Sequence, residues 1–138
     1  MASKPEATFV RSVNKHVPQE VHHEGNADQF SGGRPDRRYE GCQARTPDLW
    51  IEYKFLSTIP PVIDMMDIKK QVKLSGLQQD WLKRANEHGR NVAVIIGCKQ
   101  GGVILTNMTW TSAIPRDIFL KLVKSRKQIA EWITDQVR

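Results

Sequence analysis

The sequence predicts a mixed α/β fold, a sheet flanked by helices, and three stretches predict it. "NVAVIIGC" (residues 91–98) is a nearly unbroken β-branched run, the pattern of a strand buried on both faces. "GLQQDWLKRANEH" (76–88) places Leu77, Trp81, Leu82, Ala85 and His88 at helical spacing behind Ser75 as N-cap, and Gly89 supplies a stop. "DLWIEYKF" (48–55) alternates, sending Leu49, Ile51, Tyr53 and Phe55 to one face and Trp50, Glu52 and Lys54 to the other.

Taken in order, residues 1–30 show no sustained period, so a loose arm is expected, ending in a short helix around "VPQEVHHEG" that Gly25 closes. The glycines and proline of "SGGRPDRRYEG" lead into a short strand at 36–41, which forms a β-hairpin with 49–55. Residues 56–73 read as a long exposed connection, because Pro60-Pro61 excludes regular structure there. The helix from Ser75 and the buried strand follow, and "KQGG" turns the chain into a second strand, "VILTN", so the sheet is mixed. Beyond Pro115, "RDIFLKLVK" and "SRKQIAEWITDQV" are amphipathic, and Ser125 with Gln128 has capping-box spacing, which predicts two C-terminal helices. The whole is expected to be one domain over 1–138: arm and short helix to 30, core over 31–107 and a helical extension over 108–138.

Composition narrows the function classes. A formal charge of +6 and a pI near 9.6 favour polyanionic partners. The lack of a signal-peptide pattern or a membrane-length apolar run leads us to expect a cytoplasmic protein, in the host cytoplasm if viral. Cys42 and Cys98 lack metal-ligand spacing and read as free thiols, and the adjacent His22 and His23 read as surface residues rather than ligands. Trp81, Trp110 and Trp132 read as core, with an exposed loop position as the alternative for Trp110.

The functional lead is the charged face of the third stretch. Folding the hairpin returns Asp36 to about the level of Glu52 and Lys54, which gathers two carboxylates and an ammonium beside Trp50. Adjacent carboxylates repel, so such a cluster is costly unless a cation neutralises it. Gln78 lies on the inward stripe of the 76–88 helix, where an apolar residue is expected, and a buried amide needs partners.

"GGRPDRRYEG", "DLWIEYKF", "LSGLQQDWL" and "GRNVAVIIGC" resemble, in order and spacing, the PD-(D/E)xK nucleases, and more closely their small VRR-NUC branch with its stand-alone phage forms. The resemblance covers about residues 30–98 and implies a restriction-endonuclease-like core. It implies that Asp36, Glu52 and the carbonyl of Tyr53 hold Mg²⁺ or Mn²⁺, that Lys54 orients and helps deprotonate the attacking water, and that Gln78 hydrogen-bonds near the site. The family often adds a glutamate from its first helix, here Glu20, with Glu24 the alternative. Arg34, Arg37, Arg38 and Arg45 around the hairpin, with Lys69, Lys70 and Lys73, would hold the DNA backbone. The implied activity is a metal-dependent DNA endonuclease, selective for structure in the manner of a junction resolvase and commonly dimeric. The alternative is a non-catalytic nucleic-acid-binding protein on the same fold. The stretch from Leu56 to Lys73 is longer than the link usual in such domains.

Overall fold

Helices cover both faces of a five-stranded mixed sheet in the computed structural model, which describes residues 3–25 and 33–138. The elements run α1 (Lys4–Asn14), β1 (His23–Gly25), β2 (Arg37–Tyr39), β3 (Leu49–Phe55), β4 (Val62–Ile63), α2 (Gly76–Glu87), β5 (Asn91–Cys98), β6 (Gly101–Leu105), β7 (Ile114–Pro115), α3 (Arg116–Leu122) and α4 (Arg126–Val137). The sheet order is β1-β2-β3-β5-β6, and β4 pairs with β7 in a separate ribbon. Only β3 and β5 are parallel, and the crossover that this pairing requires contains α2.

Alternation along the central strands separates two cores. Leu49, Ile51 and Tyr53 of β3 and Ala93 and Ile95 of β5 face α1 and α4, where Phe9, Val13, Ile129, Ile133 and Val137 are buried. Val92, Val94 and Ile96 face the other way, onto Leu82 and Ala85 of α2, Phe119 of α3 and Trp110. Both faces of β5 are therefore apolar, as its unbroken run predicts. A Cβ on Gly97 would stand 2.6 Å from the Phe9 ring, so a side chain there would displace α1.

The mixed sheet, the hairpin, the helix from Ser75 and the two C-terminal helices agree with expectation, and both capping boxes form. Four expectations are corrected. The helix expected around "VPQEVHHEG" does not form: turns close at Val17 and Val21, and His23–Gly25 pair with β2 as an edge strand. The N-terminal stretch is a helix instead, capped by Ser3 and burying Phe9 and Val13; of the arm expected over 1–30, residues 26–30 lie outside the described residues, as do Ser31 and Gly32. Residues 56–73 are not simply exposed, because Leu56, Ile63 and Met65 are buried and Met65 accepts the Leu74 N–H (2.7 Å). Leu77 is 62% exposed, since the inward face of α2 is taken by Trp81, Leu82 and Ala85. Of the two readings of Trp110, burial holds. Among the described residues no helix is long and apolar enough to cross a membrane.

Candidate active site

The register of the hairpin pairs Arg37 with Ile51, which sets Asp36 opposite Glu52. Asp36 stands just before β2 begins, and its carboxylate takes the place of the strand's backbone: Oδ2 accepts the Tyr53 N–H (3.1 Å). In extended chain the N–H and C=O of one residue leave the same edge, so the Tyr53 carbonyl also opens toward Asp36. The other side of Tyr53 is locked, its hydroxyl bonded to that of Tyr39 (2.7 Å), which donates to Asn14 of α1 (2.6 Å).

Glu52 projects to the opposite face and is 1% exposed. Its Oε2 accepts from Gln78 Nε2 (3.0 Å) and stands 3.5 Å from Lys54 Nζ. Gln78 is the hub: its Oε1 accepts from Lys54 Nζ (3.2 Å) and from the Ser75 N–H (2.9 Å). A reversed amide would set donor against donor at Lys54 and acceptor against carboxylate at Glu52, so the chemistry fixes its orientation. Gln78 thereby caps α2 and ties it to β3 with one side chain, which explains its inward position.

The arrangement leaves one oxygen unanswered. Glu52 Oε1 is buried without a hydrogen-bond partner. Burial drives the Glu52 carboxyl well above the usual range, the Asp36 charge adds to this, and Lys54 only partly opposes it. A third carboxylate presses on the same spot. Glu6, on the first turn of α1, is raised to about 7 by burial and by Asp36, against the pull of Lys54. A buried, unpaired carboxylate oxygen amid crowded negative charge is what a hard divalent cation would satisfy, and the donors are all oxygen. Among the described residues no three His, Cys, Asp or Glu side chains converge into a ready metal cage.

Glu20 lies apart from this cluster. It follows the far end of α1, exposed, and pairs with Arg138 (3.0 Å). Glu24 binds Arg38 (2.8 Å) on the edge strand. The first-helix glutamate beside the cluster is Glu6, and its signal was present in "SKPEATFVRSV": a capping serine, proline and glutamate in the first turn, then Phe9 and Val13 one turn apart.

The basic residues divide as well. Arg38 is consumed internally by Glu24, Glu40 and Asp48, and Arg37 bonds His23 Nδ1 (2.8 Å). Arg45 is exposed in the hairpin loop and Arg34 stands over Trp50. Lys69 and Lys70 are exposed, and Lys70 and Lys73 line a groove of about 670 Å³ that also borders Lys54, Glu6 and Asp64. Residues 56–73 form much of its wall.

The raised carboxyls make the metal-free fold sensitive to pH. A carboxyl raised by folding contributes stability below its unfolded value near 4.5, and that contribution is lost as pH rises through the folded value, about 7 for Glu6. Millimolar Mg²⁺ is therefore expected to raise the thermal midpoint more at about pH 8 than at about pH 5, with a smaller gain in Glu52→Gln. Scanning fluorimetry checks this, and equal gains in all cases would remove the cation from the site.

Neither a protein-family model nor a curated protein matches the sequence. Among solved structures, Hjc of Archaeoglobus fulgidus, a Holliday junction resolvase from an archaeal hyperthermophile, is similar with a TM-score of 0.55 and 13% sequence identity, over 95% of this chain and 99% of that one. At that identity the likeness is one of fold, and the chain therefore has the fold of an archaeal Holliday junction resolvase.

Proposed function

We propose that this protein is a divalent-metal-dependent endodeoxyribonuclease of the PD-(D/E)xK type that hydrolyses phosphodiester bonds in branched DNA. The observation that carries this reading is the unpartnered Glu52 Oε1, buried in a cluster with Asp36, Lys54 and Gln78, of which Lys54 also lines the lysine-bearing groove. Asp36, Glu52 and the Tyr53 carbonyl would hold Mg²⁺ or Mn²⁺, with Glu6 as a further carboxylate. The ion supplies Lewis acidity, lowering the pKa of a water and offsetting charge on the phosphoryl oxygens.

The chain's own groups do the rest. Lys54, held by Gln78 Oε1 and Glu52, points an ammonium at the site, where it orients the attacking water and stabilises developing negative charge. Gln78 keeps Glu52 and Lys54 in fixed relation. Lys70 and Lys73 hold the strand along the groove, with Lys69 and Arg45 as outlying phosphate contacts. Cutting a branch on both strands calls for two copies, and the exposed Ile118 and Leu122, one turn apart on α3, offer an apolar patch for a homodimer.

Incubation with supercoiled, linear, single-stranded and four-way-junction DNA, with Mg²⁺ or EDTA, tests the reading. Cleavage of the junction in Mg²⁺ alone is expected, and binding without cleavage in any metal would overturn it. Affinity measured in EDTA should fall with salt at a slope of roughly −0.9 per neutralised phosphate, and Lys69→Glu/Lys70→Glu should flatten it by about one for each phosphate no longer held. A salt-independent affinity would remove nucleic acid as the partner.

A further inference from the structure

β3 and α2 face one another through two rungs. One joins Glu52 and Lys54 to Gln78; the other, two residues back on β3 and three onward on α2, joins Trp50 to Trp81, with ring centroids 5.4 Å apart and planes inclined at 53°. Trp50 thus leaves the same face of β3 as Glu52, about 7 Å away along the strand. Both rings are only partly buried. Guanidinium groups stand over them: Arg34 at 6.0 Å and Arg38 at 5.9 Å from Trp50, and Arg90 at 5.7 Å from Trp81. Arg38 is held by three carboxylates and is a fixed part of the wall. A cavity of about 310 Å³ opens against Trp50, bordered by Glu24, Arg34 and Arg38.

Packing against the apolar core asks only for bulk at positions 50 and 81, and aliphatic side chains would supply it. Two partly buried indoles with guanidinium planes stacked on them, a cavity opening against one of them and a carboxylate nearby offer what a nucleobase uses: aromatic surface for its face and donors and acceptors for its edge. We propose that the Trp50–Trp81 pair, where the cavity opens against Trp50, is a stacking shelf for one unpaired nucleobase of the DNA strand whose backbone lies at Glu52. This rests on the nuclease reading above and adds a source of selectivity to it. A base inside a continuous duplex must leave its stack to reach the shelf, whereas a base at a branch or in a single strand is already free. Because every base has a π-face, the shelf selects for unpairedness and is tolerant of sequence.

The test is binding in EDTA, which separates it from cleavage. Wild type, Trp50→Leu and Trp50→Phe are titrated by anisotropy against a single strand and a continuous duplex of the same sequence across a salt series. Trp50→Leu is expected to lose about five- to a hundredfold in single-strand affinity. Its duplex affinity and its salt slope should be nearly unchanged, because stacking releases no counterions. Trp50→Phe should restore most of the loss. If Trp50→Leu fails to fold, indole quenching by the single strand decides, being expected in wild type and reduced in Trp50→Phe; equal quenching in both overturns the shelf. Equal losses on both DNAs, an altered salt slope, or a folded Trp50→Leu protein that binds single strands as wild type does would each overturn the shelf and leave the nuclease reading standing. A wild-type protein that binds no DNA overturns both.

Discussion

Glu52→Gln is expected to abolish Mg²⁺-dependent cleavage, by about a thousandfold or more, while making the metal-free protein no less stable and even more so. The two signs have one cause. Glu52 is buried, one of its oxygens has no partner, and burial with the nearby Asp36 charge disfavours its ionised form. The amide keeps the shape and removes the charge, which relieves the fold and leaves a cation without its counter-charge. Asp36→Asn and Lys54→Ala are expected to be inactive as well. Asp48→Asn is the control, because Asp48 is a second aspartate preceded by proline but is spent elsewhere. Its Oδ1 accepts the Gly41 N–H (2.9 Å) and its Oδ2 binds Arg38 (2.8 Å), closing the hairpin loop. Asp48→Asn should cost about 1 kcal/mol of stability and keep most activity. Cleavage rates with urea unfolding curves check the set. An inactive but folded Asp48→Asn beside an active Asp36→Asn would overturn the assignment.

Gly33→Ala is expected to cost about 2 kcal/mol or more in stability and most of the cleavage activity. Gly33 has φ +86°, where an L side chain is strained, and a Cβ there would overlap the Leu77 carbonyl and stand 2.6 Å from the Gln78 nitrogen. The loop that delivers Asp36 is thus seated directly on the first turn of α2, and separating them moves Asp36 and Gln78 apart. Gly76→Ala is the matched control. A Cβ at Gly76 meets nothing within 4 Å, and alanine in the first helical turn should hold or raise stability by up to about 1 kcal/mol. Should Gly33→Ala equal Gly76→Ala in both stability and activity, the close approach has no role in holding the site.

The sequence by itself determined the features that depend on neighbours along the chain. Alternation assigned the faces of β3, so Trp50, Glu52 and Lys54 could be read as sharing a side; capping spacing placed the starts of α2 and α4; the β-branched run marked β5 as buried on both faces. The hairpin was legible to within a residue or so, Asp36 being expected at about the level of Glu52 and Lys54, and the observed pairing sets it opposite Glu52. What only the tertiary structure decided depends on which distant elements meet. Glu6 and Glu20 are both carboxylates near helix-like sequence, and only the packing of α1 against β3 and α4 brings Glu6 to the cluster and leaves Glu20 to Arg138. Arg38 read as a phosphate contact, and the pairing of β1, β2 and the hairpin loop surrounds it with Glu24, Glu40 and Asp48. Residues 56–73 carry no strong period, yet the pairing of β4 with β7 and the burial of Ile63 and Met65 make them the wall of the groove. Periodicity and capping act over a few residues and are written in the order of the amino acids. Ion pairing and burial depend on which strands and helices come to lie side by side, and no local pattern encodes that.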